Sequence, residues 1–244
     1  MRVESKFLGI GSILVFKQPK TRVDVTLRRY SPLAQTFIPD SDGFIESVDV
    51  WFFRVPSNDN ALVSCTIREV ENGVPTSVVL GKSPKTALDV LTEGLLDSTR
   101  RLLTVEPDES AGRVRFVFDV PVFVKKGKEY AITLEDSEPG FYVFGARVGS
   151  KILGDLSGVR TKGEVLDRQA HDGVALLSVN TRTWESLQDV DVMFRINRAV
   201  FNMSDGVCVF NDINWGTGIG EMIAGSVVVM PENTEIDWEW SGDG

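Results

Sequence analysis

Gly43 to Arg54 alternates with period two, placing Glu46, Val48, Val50 and Phe52 on one face and Ile45, Ser47, Asp49, Trp51 and Phe53 on the other. Both faces turn apolar near Trp51, which predicts a central strand covered on both sides. Pro56 to Asn60 is a turn by composition. The alternation resumes over Leu62 to Val70, where Val63, Cys65 and Ile67 oppose Ser64, Thr66 and Arg68. Asn72-Gly73 then supplies the two residues that take positive φ cheaply, as a type I′ hairpin turn requires. Pro75 restricts how the return strand begins.

The clearest strand signal is Arg113 to Val124. Val114, Phe116, Phe118 and Val120 share a face, and Arg113, Arg115 and Asp119 line the other. Each such side chain contributes roughly 1.5–3 kcal/mol on burial, so this strand is expected to anchor the core. Lys125 to Lys128 forms a turn, after which Tyr130, Ile132 and Leu134 alternate with Ala131 and Thr133. Phe141 to Phe144 follows the Pro139-Gly140 turn, and Val192, Phe194 and Ile196 oppose Met193 and Arg195. Ser83 to Val105 is ambiguous. Leu88, Leu91, Leu95 and Leu102 suit one face of a helix, while Gly94, Thr86, Thr92 and Thr99 oppose one, so a short helix and an irregular extended segment both stay open. Phe7 to Phe16 reads as a strand. It is too short to span a membrane, and Lys17, Gln18 and Pro19 follow it in place of a cleavage site.

Few segments read as helices between strands, which disfavours a parallel βαβ fold. The turn spacing predicts an all-β fold, a jelly-roll-like β-sandwich with N- and C-terminal extensions. The expected organisation is an N-terminal arm or strand over 1–30, the sandwich over 31–202 and a C-terminal arm over 203–244.

Charge narrows the function. The formal net charge of −9 argues against nucleic acid, whose phosphates are neutralised by Lys and Arg, and against an anionic membrane surface. Arg22, Arg28 and Arg29 are interrupted by Asp24 and read as a solvated face. No membrane insertion is expected. The two cysteines, Cys65 and Cys208, sit in apolar runs and are expected as buried thiols, with a single bridge between them left open. The single histidine, His171, excludes a multi-histidine metal site, and Asp172-Gly173 beside it reads as a surface loop rather than part of a triad. Gly216 to Glu221 is glycine-rich but lacks phosphate-loop spacing. No enzymatic activity, cofactor or metal is expected.

The tail carries a different signal. In an extended Asp237-Trp-Glu-Trp240, the acids share one face and the tryptophans the other. This pattern suits a sticky edge better than a catalytic carboxylate pair or a sugar-binding site. Val227, Val229, Trp238 and Trp240 are therefore the candidate assembly-interface residues, within an arm from Ala224 to Gly244.

The phrases Pro32 to Phe37, Gly43 to Phe53, Ile67 to Pro75, Phe118 to Val122, Glu129 to Ala131, Ser178 to Trp184 and Phe194 to Phe201 occur in one order. In that order the chain resembles the β-sandwich domain of virion structural proteins of tailed bacteriophages, those of baseplate wedges and tails. It departs from the pattern at Trp51 and in the long, charged Ser83 to Glu109. The resemblance implies a structural component of the tail or baseplate. Its partners would be other tail or baseplate proteins and copies of itself. It would reside in the virion, and in the host cytoplasm during assembly. A carbohydrate-binding β-sandwich module is the alternative. Trp184 is expected to pack over the sandwich with its indole N–H bonded, and Pro121 to mark an edge or a bulge.

Overall fold

The computed structural model describes residues 12–15, 32–102, 110–151, 164–169, 172–178, 180–200 and 235–237. In chain order the elements are β1 (Ser12–Val15), β2 (Leu33–Phe37), β3 (Gly43–Arg54), β4 (Leu62–Glu71), β5 (Val74–Thr86), α1 (Ala87–Glu93), β6 (Arg113–Val124), β7 (Tyr130–Asp136), β8 (Tyr142–Arg147), β9 (Ala175–Ser178), β10 (Trp184–Leu187), β11 (Val190–Val192) and β12 (Phe194–Arg198). The chain divides into two compact units, Met1–Ala199 and Val200–Gly244. All these elements belong to the first. In the second, the described Val200 and Glu235 to Asp237 are exposed.

The strands form two antiparallel sheets. One has the order β10-β9-β2-β7-β4-β5. The other is built on β3, which pairs with β6 and β12 along its length and with β8 at its end, while β8 also pairs with β1 and β11. The run from Val190 to Arg198 therefore bridges two partners. It pairs first with β8 and then, past Met193, with β3. The inner faces of the two sheets share one core: Leu33, Phe37, Val63, Cys65, Ile67, Ile132 and Leu134 from one, and Ile45, Val48, Val50, Phe52, Phe116 and Phe194 from the other. The fold is an all-β sandwich.

A bulge alters the expected alternation of β3. The register shifts between Ile45 and Ser47, so Ile45 joins Val48 and Val50 in the core, and Glu46 is exposed. The same irregularity spans Val117 to Val122 on β6. It turns Val120 outward, to 73% exposure, where strict alternation places it beside Phe118 in the core. Val122 and Val124 then return to the interior. The far face of β3 is covered as expected. Trp51 packs with Leu102, Phe144, Ala146, Leu166 and Met193 in a second apolar cluster.

The ambiguous leucine segment resolves into both alternatives. Ser83 to Thr86 ends β5, and Ala87–Glu93 is helical. Thr86 caps the helix: its hydroxyl accepts from the Asp89 N–H, and the Asp89 carboxylate accepts from the Thr86 N–H at 2.8 Å. Ala87 and Val90 face inward, Leu91 packs against the core and Leu102 is buried, while Leu88 and Leu95 are exposed, so only half of the expected leucine stripe is buried. Leu95 takes φ 54°, which stops the helix one residue past Gly94. Asn72 and Gly73 have φ of 52° and 75°, as their hairpin turn demands.

Candidate functional site

Two edge strands meet on one flank of the sandwich. β5 ends one sheet and β6 ends the other. They approach closely enough that a Cβ on Gly81 would come within 2.4 Å of Val122 Cγ2, with Phe118 beside it. The exposed aliphatics of these two strands are Val78, Val79 and Leu80 on β5 and Val117 and Val120 on β6; Val79 stands across from Arg68 and Val117 across from Ser47, each on the outward side of its own sheet. At β10, the far edge of the first sheet, the exposed positions are Glu185 and Ser186. Sheet edges are usually shielded by charge, proline or bulges because unpaired strands template aggregation. This flank has such devices in its backbone, namely Pro84, Pro121 and register shifts in both ladders. Aliphatic side chains are exposed there nonetheless, alongside Lys82 and Asp119. Backbone addition is hindered at these prolines and register shifts. Pro121 stands at both an edge and a bulge, as its position in the sequence suggests.

A cleft of about 280 Å³ opens at one end of the sandwich. Phe37, Ile45, Val124, Phe194 and Ile196 form its apolar lining, and Asp40, Asp172 and Arg198 are its charged groups. The Arg198 guanidinium is already engaged, donating to the Ser41 hydroxyl and to the carbonyls of Ser41 and Asp42, with Asp40 at 3.6 Å. It lies over Gly43, where any side chain would displace it.

The polar groups buried in the sandwich are joined to one another. Gln35 projects from β2 between the sheets; its Oε1 accepts from the Val192 N–H at 2.9 Å, and its Nε2 donates to Asp191 at 3.4 Å. This clamp ties the two sheets together through the interior, and a buried glutamine needs such partners. On the outer face of β3, the wholly buried Asp49 accepts from Arg115 Nε at 2.7 Å and Nη2 at 3.0 Å, and from Asn197 Nδ2 at 3.1 Å. The carboxylate in turn raises the Arg115 pKa, chiefly through these hydrogen bonds. Arg195 stands opposite Asp49 on β12, with its guanidinium 5.5 Å from the Trp51 ring centroid. These arrangements satisfy buried charge and brace strands. They pair no nucleophile with a base.

No protein-family model, curated protein or solved structure matches this chain. The flank and the cleft therefore stand on their own geometry.

The residues singled out in the sequence fare unevenly. Val227, Val229, Trp238 and Trp240 lie outside the described residues, as do His171 and Cys208. Asp237 is described and exposed, and Asp172 stands exposed at the cleft. Cys65 is a free, buried thiol whose pKa is pushed far up by that burial. Trp184 is half-buried in β10, but its indole nitrogen is buried with no hydrogen-bond partner among the described residues, unlike the bonded indole expected. Among the described residues no group of three or more His, Cys, Asp or Glu is placed to hold a metal, and no helix is long and apolar enough to cross a membrane. The clamp at Gln35 and the flank at Val78 to Leu80 were not anticipated. The three consecutive aliphatics at 78–80, flanked by Pro75 and Pro84, break period two and are the signal that was there to read.

Proposed function

We propose that this chain is a non-catalytic structural subunit of a bacteriophage tail or baseplate, working through protein–protein contacts. The observation that carries the reading is the flank of β5 and β6. These edge strands expose Val78, Val79 and Leu80 on β5 and Val117 and Val120 on β6, beside prolines and register shifts that hinder strand addition. Exposed aliphatic side chains gathered on edge strands, as in the consecutive Val78, Val79 and Leu80, are a mark of interaction sites. The ordered phrases that resemble tail proteins agree with it, because they fall on structural positions: the Gln35 clamp, the Asn72-Gly73 turn and the Pro121 bulge. A glycan module would present a flat ring to stack on a sugar. Among the described residues every aromatic is buried or half-buried.

The test is the composition of purified phage particles carrying this gene. Quantitative mass spectrometry should find the chain at a fixed ratio to tail proteins, and antibody labelling in the electron microscope should mark the tail or baseplate. Particles of normal infectivity that lack the chain would overturn the reading.

A further inference from the structure

The cleft at the end of the sandwich opens between the two sheets. Its floor belongs to the core: Phe37 of β2, Ile45 of β3, Val124 of β6 and Phe194 of β12 are all buried. Its sides are pinned by hydrogen bonds that need no ligand. The Asp42 carboxylate accepts from the Lys126 N–H at 2.6 Å, the Pro39 carbonyl accepts from the Gly127 N–H at 3.0 Å, and Arg198 donates to the Ser41 and Asp42 carbonyls. Next to Asp172 and Gly173, Val174 donates its N–H to the Thr36 hydroxyl at 2.9 Å and accepts from the Thr36 N–H at 3.0 Å. A Cβ on Gly173 would collide with the Thr36 carbonyl, so the backbone there lies flat against β2. The cleft is formed in advance of any occupant, which removes the cost of ordering it on binding.

We propose that this cleft binds a small organic cation, with an apolar body the size of a fused ring pair and an ammonium group at the mouth. Volume sets the body. An apolar cavity of roughly 150 Å³ holds one benzene ring. The cleft, at about 280 Å³, takes a bicyclic group or its branched equivalent, but not a run of peptide or glycan. Charge sets the head. Arg198 spends donors on Ser41 and Asp42 and stands 3.6 Å from Asp40, so those two lining charges answer each other. Asp172 is exposed, has no ion partner among the described residues, and is the lining charge left over. An apolar floor with one uncompensated carboxylate at its mouth draws cations and repels anions. Ile38, half-exposed at the rim, adds apolar contact for the body. The inference goes beyond the assembly reading and does not depend on it.

Heteronuclear NMR titration of the full chain with three indoles of similar shape tests this: tryptamine, a cation at neutral pH; tryptophol, which is uncharged; and indole-3-acetate, an anion. Tryptamine should bind saturably with a Kd of about 1 mM or tighter, the range open to a ligand of so few atoms. The amide shifts should centre on residues 37–40, 172–174 and 196–198. Tryptophol should bind about threefold and indole-3-acetate about tenfold more weakly, because an exposed carboxylate acts through water. Asp172→Asn should bring the three ligands within about twofold of one another. Ile196→Trp fills the cleft from its half-buried wall and should abolish binding of all three. Circular dichroism and melting temperature will establish that each variant folds, and the exposed Asp172→Asn carries the test alone if Ile196→Trp does not. No saturable binding of tryptamine, indole-3-acetate bound as tightly, shifts centred elsewhere, or an unchanged preference in Asp172→Asn would each overturn the proposal. Particle composition does not enter this result, so the two readings fail separately.

Discussion

Replacing Arg115 by Met strands the carboxylate of Asp49. That side chain is wholly buried, while Arg115 is two-fifths exposed and supplies two of its hydrogen bonds, at 2.7 and 3.0 Å. Leaving a buried charge without its partner costs about 3–5 kcal/mol. Asn197 still donates to Asp49, and water can enter where the guanidinium stood, so the lower end, about 3 kcal/mol, is expected. Asp49→Leu frees an arginine that can turn to solvent, and should cost less, about 1–2 kcal/mol. The double variant removes both charges. It should cost about 1 kcal/mol, well under the sum, because isosteric apolar replacement of an ion pair is close to neutral. Urea denaturation read by tryptophan fluorescence measures all four chains. With a slope of about 2–3 kcal/mol/M, Arg115→Met should move the midpoint by about 1 M. Trp51 lies next to this network, so the probe is local as well as global. Arg115→Met costing under about 1 kcal/mol, or single costs that add in the double variant within about 0.5 kcal/mol, would refute the reasoning.

Asp136 is buried, its Oδ1 lacks a hydrogen-bond partner, and its pKa is raised from 3.8 to about 6, first by burial and then by Glu138. The folded state thus holds this proton more tightly than the unfolded one. Its contribution is full below about pH 4 and is lost as pH rises through 6. Asp136→Asn should therefore raise stability at pH 7.5 by about 1–2 kcal/mol and do little at pH 4, as thermal melts at both values will show. Gln35→Leu leaves the Val192 N–H unpaired inside the sandwich and should cost about 1–3 kcal/mol in the same urea assay. Thr86→Ala removes the cap of α1 and should cost about 1 kcal/mol, with amide exchange quickening first over residues 87–93.

Most of the sheet was legible because period two reports burial directly. Val63, Cys65 and Ile67, and Val114, Phe116 and Phe118, lie in the core as their alternation requires. The failures occur where the period itself breaks. Val120 faces water because the β3–β6 ladder changes register beside it, and no propensity announces that shift. Leu88 and Leu95 misled because leucine spacing says nothing of where Leu95 will take positive φ. The flank and the Gln35 clamp depend on pairs far apart in sequence. One strand alone does not reveal that β5 and β6 come to lie on the same side. The tail residues were singled out by composition, a signal independent of the sandwich.

The Gln35 clamp joins residues 157 positions apart, and β3 receives one of its two flanking strands only when β12 arrives. Contacts of such range are reached late and slowly in folding. On the ribosome, residues 45–50 would wait with one edge bare until the run from Val190 to Arg198 emerged. A chain interrupted before that run would have neither the clamp nor the closing strand. It would carry an open apolar seam for chaperones and proteases to recognise. Placing the keystone so near the end of the sandwich couples burial of that seam to completion of the sandwich.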